Sequence, residues 1–261
     1  MVNKLVVSNR GSLAAGEAVL PVQTFRSDGT IDIINEVGGA NPSVEDYGSN
    51  SIATSINLSA LTTTTTTAQS VTPVTVGGLD VLGVDFGFNF DVIVNTNDSG
   101  QGSFRQFIHN SNDLENTNLD QEDNPTNGVT FPKDLEWETS IFMIPGTGVH
   151  KIEPTTEFKR IRDAQTHITG YTQAGSAQGT NALRTINVEL IGNTSTFDGL
   201  RLDADNIHIS GLSIHAFRHG IFSNHLNAEN LKVWGNYIGT EADGTTAVSY
   251  THLTLPTILL V

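Results

Sequence analysis

The sequence predicts an all-β protein whose second half is a solenoid of short strands, and three observations point that way. Across residues 199–244, apolar residues alternate over very short spans (Leu200, Leu202; Ile207, Ile209; Leu212, Ile214; Leu231, Val233) and are interrupted every few positions by Gly, Asn, Asp or His. A period of two is strand geometry, and gaps this short leave no room for crossover helices. An apolar residue, any residue and a glycine recur at Ile144-Pro145-Gly146, Ile168-Thr169-Gly170, Leu190-Ile191-Gly192, Ile209-Ser210-Gly211 and Val233-Trp234-Gly235, so that the glycines follow one another by 24, 22, 19 and 24 residues. Such a near-constant period suits a solenoid, in which each winding buries its inward side chains only against the windings on either side. On this reading Ile168, Leu190, Ile209 and Val233 form one inward column. Finally, only 16% of the residues are charged and 37% are hydrophobic, with Thr, Asn, Ser and Gly making up the balance. That composition belongs to many-turned β proteins rather than helical or disordered ones.

Residues 1–93 read as an incomplete β-sandwich. Candidate strands are 5–7, 18–25, 31–34, 71–76 and 81–91, with Gly- and Asn-rich loops between them. The threonine run 62–67 is taken as a loop leading into the strand at 71. Within 84–91 the alternation places Val84, Phe86, Phe88 and Phe90 on one buried face.

The solenoid module is placed at 94–249, and it opens with a short capping helix near 103–109. Ser103 followed three residues later by Gln106 is a capping-box signature, and Phe104, Phe107 and Ile108 make one apolar stripe. A helix at this point covers the first winding, whose apolar core and open strand edge otherwise invite aggregation. Residues 110–139 form an acidic, Asn-rich surface loop. Residues 250–261 depart from the repeat pattern and read as a non-native, loosely packed tail in which Pro256 interrupts any ladder.

The formal net charge is −15, from 13 basic and 28 acidic residues. This argues against a nucleic-acid surface and against an anionic membrane, and no run is long enough for a membrane span. The absence of cysteine excludes a thiol nucleophile and suits an exported bacterial protein. A secretory signal is not readable in residues 1–16, so export implies a signal outside this sequence.

The motifs VNTNDSGQGSFRQFI, IPGTGVHKIEP, ITGYTQAGS, GLRL, ISGLSIHAF and VWGNYIGTEADGTTAV occur in this order. Together they resemble the opening windings of right-handed parallel β-helix repeats, found in large bacterial surface proteins and related to the pectate-lyase-like superfold. The preceding VDFGFNFDVIVNT is similar to the last strand of a prealbumin-like or Cna-B-like sandwich module. The resemblance spans roughly residues 71–248 and speaks to architecture more than activity.

Chemistry is sparse. Arg201, Asp203 and Asp205 form a compact charged group, and polysaccharide-active β-helix enzymes work with clustered carboxylates, with or without calcium. A turn whose Asp and Asn side chains bond their own backbone is the preferred reading, because an active solenoid needs acids stacked from several windings. His208, His215, His219 and His225 are dense enough to suggest a metal, but on strands and turns they fit stacked or surface histidines better. Asp98 and Asp243 lie in acidic turns that offer oxygen ligands to Ca²⁺, the one cofactor entertained; neither turn has the EF-hand pattern. No catalytic or metal residue is assigned beyond these candidates. The expected function is a non-catalytic stalk or adhesin-like segment of a secreted or surface-anchored bacterial protein, with carbohydrate or cell-surface ligands as partners. The alternative is a carbohydrate lyase or hydrolase, recognisable by acids or bases recurring at equivalent positions of adjacent windings.

Overall fold

A computed structural model describes residues 2–7, 19–26, 70–75, 77–78, 80, 86–117, 119, 136–179, 184–192, 196–223, 228–248 and 252–254. The expected strand at 31–34 and the threonine run at 62–67 lie outside these residues. The described part is strand-rich with one α-helix, and its strands fall into two styles of pairing. In the first half, β1 (Val2–Val7) runs antiparallel to β3 (Ser70–Thr75), and β2 (Val22–Arg26) runs antiparallel to β4 (Phe86–Asn89). Of the expected buried face, Val84 and the Phe86 side chain lie outside the described residues, Phe88 is 38% exposed and Phe90 is half-buried. In a two-stranded ribbon, alternation assigns side chains to faces but does not supply cover for them.

Among the described residues, the strands from Val92 onward pair in parallel, and the antiparallel contacts there are the isolated bridges Ala177–Thr185 and Thr240–Ala247. β5 (Val92–Ile93) lies beside β7 (Ile141–Phe142), so the parallel array begins two residues before the expected start at 94. One ladder stacks β6 (Glu138–Thr139), β9 (Thr166–Thr169), β12 (His208–Ser210) and β15 (Lys232–Trp234). A second stacks β8 (His150–Ile152), β10 (Val188–Ile191), β13 (Ser213–His215) and β16 (Tyr237–Ile238). A third contains β11 (Leu200–Arg201), β14 (His219–Phe222) and β17 (His252–Thr254), extended by a parallel bridge from Ile161 to Leu202. From β12 to β17 the chain visits the first, second and third ladders in turn and then repeats the circuit. β17 falls within the segment expected to be a loose tail, yet its backbone continues the third ladder. Pro256 lies beyond it and so does not interrupt that pairing.

The inward columns follow from the register. Ile168, Ile209 and Val233 are consecutive partners in the first ladder. Leu190 is not among them; it stands between Ile152 and Ile214 in the second ladder, with Ile238 next. The expected single column therefore becomes two. The reason is visible in the spacing: His208 to Lys232 is 24 residues, but His167 to His208 is 41, so the recurring apolar-x-Gly motif samples more than one corner. At the corner between the first two ladders the glycine is obligatory. Gly211 and Gly235 have φ of 69° and 63°, and a Cβ on Gly170 would lie 2.1 Å from the Gly211 carbonyl oxygen. Asn236 closes the same corner by accepting from Leu212 N–H at 3.0 Å and donating to Ile209 O at 2.9 Å.

A helix is present where one is expected and is longer than expected, as α1 (Phe104–Asp113). Ser103 caps it, its Oγ accepting from Gln106 N–H at 3.1 Å, while the Gln106 side chain donates to Asn110. Phe104, Phe107 and Ile108 are buried in the core that also holds Ile93, Phe142 and Phe158. Phe104 stacks on Phe142 at 5.8 Å and meets Phe158 edge-on at 5.2 Å. Asn110 joins the helix to the first half, donating to Leu20 O and Phe90 O and accepting from Leu20 N–H.

Candidate functional site

Polar chemistry concentrates on the outer side of the third ladder. Leu200, Leu202 and Ile221 point inward and are buried, so the strand period turns Arg201 and Asp203 outward. Arg201 pairs there with Glu157 of the preceding winding. The other Glu157 oxygen accepts from the Asp198 backbone N–H at 3.1 Å. Asp198, only 2% exposed, receives both Arg218 Nε at 2.9 Å and Nη2 at 2.8 Å, and lies 2.7 Å from His219 Nδ1. Burial pushes the Asp198 pKa up, but the Arg218 and His219 hydrogen bonds and charges outweigh it and hold the group below its ordinary value. The same partnership raises Arg218. Glu157, Asp198, Arg201, Arg218 and His219 thus come from three successive windings.

Arg201, Asp203 and Asp205 do not form one centre. Asp203 faces Arg160 at 3.4 Å and Arg162 at 3.8 Å. Asp205 accepts from the Glu229 backbone N–H at 2.7 Å, next to Asn206 and Asn230, which both adopt positive φ and stack by an Asn–Asn hydrogen bond of 3.1 Å. Its hydrogen bond goes to the next winding, 24 residues on, and not to the backbone of its own turn. Glu157, Asp198 and Arg218 are not among the residues expected from the sequence. Local spacing carried no sign of them, because each partner lies on another segment.

The calcium candidates are engaged otherwise. Asp98 binds Arg105 at 2.7 Å and the Thr155 hydroxyl. Burial raises its pKa, and these bonds more than reverse the effect. Asp243 accepts from the Thr245 and Thr246 N–H groups, both at 2.8 Å, and from the Thr246 hydroxyl, which together lower its pKa. Among the described residues, no group of three or more His, Asp or Glu side chains is placed to hold a metal ion.

The histidines separate by ladder: His208 is in the first, His215 in the second and His219 in the third, while His225 lies outside the described residues. His167 and His208 are register partners and, with Trp137 and Trp234, form a ring cluster with centroids 4.4–5.8 Å apart. Burial, followed by the neighbouring charge of His208, depresses His167 to about 3. Burial, followed by Lys232, depresses His208 to about 4. His167 Nε2 lies 2.9 Å from Ser210 Oγ, whose own hydrogen goes to Thr169 Oγ1 at 2.9 Å. The ring therefore donates to Ser210 and cannot act as its base, and Ser210 is 1% exposed. In the second ladder, His215 Nε2 meets Glu189 at 2.8 Å, both side chains being buried.

No family model, curated protein or solved structure matches this chain. Among the described residues no helix is long and apolar enough to cross a membrane.

Proposed function

We propose that the chain is a non-catalytic stalk or adhesin-like segment of a secreted or surface-anchored bacterial protein, built as a right-handed parallel β-helix of the pectate-lyase-like kind. Three parallel ladders visited in rotation support that architecture, and right-handed crossover is the rule for parallel strands. One observation carries the functional reading. On the third-ladder face each carboxylate is matched to a base: Glu157 to Arg201, Asp198 to Arg218 and His219, and Asp203 to Arg160 and Arg162. A general acid needs a raised pKa, whereas Asp198 is held low and ionised. Cross-winding ion pairs suit a scaffold that presents a long lateral face to carbohydrate or cell-surface ligands.

A second reading, a carbohydrate lyase or hydrolase, draws on the same residues, because acids and bases do recur on successive windings there. Turnover separates the two. The purified protein, incubated with pectins, alginates and other acidic glycans with and without calcium, is expected to release no new reducing ends or unsaturated products. Product formation that disappears in Asp198→Asn or Glu157→Gln, with folding retained, would establish the enzyme instead.

A further inference from the structure

Both tryptophans of the chain, Trp137 and Trp234, stand against the outer side of the first ladder. Ile168, Ile209 and Val233 point inward there, so the strand period turns His167, His208, Lys232 and Trp234 outward. Thr139 of β6 is the register partner of His167 and shares that face. Outward side chains of a solenoid ordinarily meet solvent, yet Thr139 is 1%, His167 5% and His208 8% exposed. Two half-buried indoles account for the burial of the histidines. Trp137, which directly precedes β6, meets His208 at 4.4 Å with a tilt of 39°, and Trp234 meets His167 at 5.2 Å with a tilt of 31°. Among the described residues, His167 Nδ1 and Thr139 Oγ1 are buried without a hydrogen-bond partner. Because the His167 ring donates from Nε2 to Ser210, its Nδ1 carries a bare lone pair and lacks a donor. The Thr139 hydroxyl can both give and accept a hydrogen bond.

We propose that this face is a binding platform for a neutral glycan, whose sugar rings stack on Trp137 and Trp234 and whose hydroxyls serve the unpartnered polar atoms of the same face. The assignment rests on the adhesin-like reading and names a ligand class and a site for it. The C–H side of a pyranose ring is apolar and fits an indole, while its rim of hydroxyls both donates and accepts. Charge narrows the ligand. Both histidines are uncharged near neutral pH, since burial and neighbouring charge hold His167 at about 3 and His208 at about 4. Lys232, exposed and in register with His208, disfavours a cation, and the net charge of −15 disfavours a polyanion. A proline-rich peptide also stacks on indoles, but proline has no N–H to offer His167 Nδ1. A sugar hydroxyl supplies that donor. The two unpartnered atoms are covered in the free protein, so a ligand that reaches them shifts the indoles and changes their emission.

The test uses the full chain and a panel of neutral oligosaccharides built from glucose, mannose, galactose, xylose or N-acetylglucosamine, with oligogalacturonate and a polyproline peptide as contrasts. At least one neutral oligosaccharide is expected to shift tryptophan emission saturably, and calorimetry then gives affinities for variants that lose an indole. Trp137→Ala and Trp234→Ala should each weaken binding about tenfold or more, with Trp137→Phe and Trp234→Phe retaining part of it. Thr139→Val leaves the rings in place and should weaken binding about threefold or more; it serves if an alanine variant fails to fold, as urea unfolding shows. The absence of any response to neutral glycans overturns the platform, as does a response confined to oligogalacturonate or to the peptide. Neutral-glycan binding that persists undiminished in all of these variants also overturns it, while leaving the adhesin-like reading intact. Turnover of a glycan would instead remove that reading.

Discussion

Ile209 offers the sharpest test of the stacked columns. It is completely buried in β12, with Ile168 as its register partner on one side and Val233 on the other. Parallel backbone pairing holds both neighbours at a fixed distance, so a hole at 209 has little means of collapsing. Ile209→Ala should accordingly fall in the upper part of the roughly 2–5 kcal/mol expected for such truncations. That is a large share of the 5–15 kcal/mol or so that stabilises a typical domain. Val233 is only partly buried in the outer strand β15, and Val233→Ala should cost about 1 kcal/mol. Ile209→Asp places an unpaired carboxyl in the column and should abolish cooperative folding of the array. Equilibrium urea unfolding followed by tryptophan emission suits the measurement, because both tryptophans of the chain, Trp137 and Trp234, sit against this ladder. If Ile209→Ala costs no more than Val233→Ala, the middle strand is not sandwiched between two windings and the columnar argument fails.

Two further outcomes follow from named atoms. His167 is neutral when folded and protonates near 6.5 when unfolded, so its contribution is present above that value and lost as pH falls towards about 3. At about pH 5 the loss should be roughly 2 kcal/mol, and His167→Gln should remove it; an identical drop between about pH 7.5 and 5 in variant and wild type would contradict the assignment. Gly170→Ala forces a Cβ to within 2.1 Å of the Gly211 carbonyl oxygen and should lower stability by about 1–3 kcal/mol, whereas Gly77→Ala, where a Cβ meets nothing within 4 Å, should be near neutral. Equal melting temperatures for the two alanine variants would show that the corner is not closely packed.

Much of the local structure was legible because its determinants are local. Ser103 and Gln106 mark a helix start, Phe104, Phe107 and Ile108 mark its buried stripe, and α1 follows from them. Alternation around Leu200, Ile209 and Ile214 marks strands with one inward face. The site was less legible. Arg201 and Asp203 were visible as charges, but their partners Glu157 and Arg160 lie 44 and 43 residues away, and the Asp198–Arg218 pair spans 20. No reading of adjacent positions connects residues that become neighbours only after the chain has wound once around.

By itself, then, the amino-acid sequence determined which segments are extended, which residues face inward, where the helix begins and that the chain is strongly acidic. Each of these is set by side-chain chemistry within a few residues of backbone. Only the tertiary structure decided which strand lies on which, and so separated Leu190 from the column of Ile168, Ile209 and Val233 and brought Asp198 to Arg218 and Arg201 to Glu157. Parallel pairing joins strands through loops of unequal length, and the register is chosen by the packing of whole windings. A period-two pattern specifies the two faces of a strand, but it contains no information about the strand's partner.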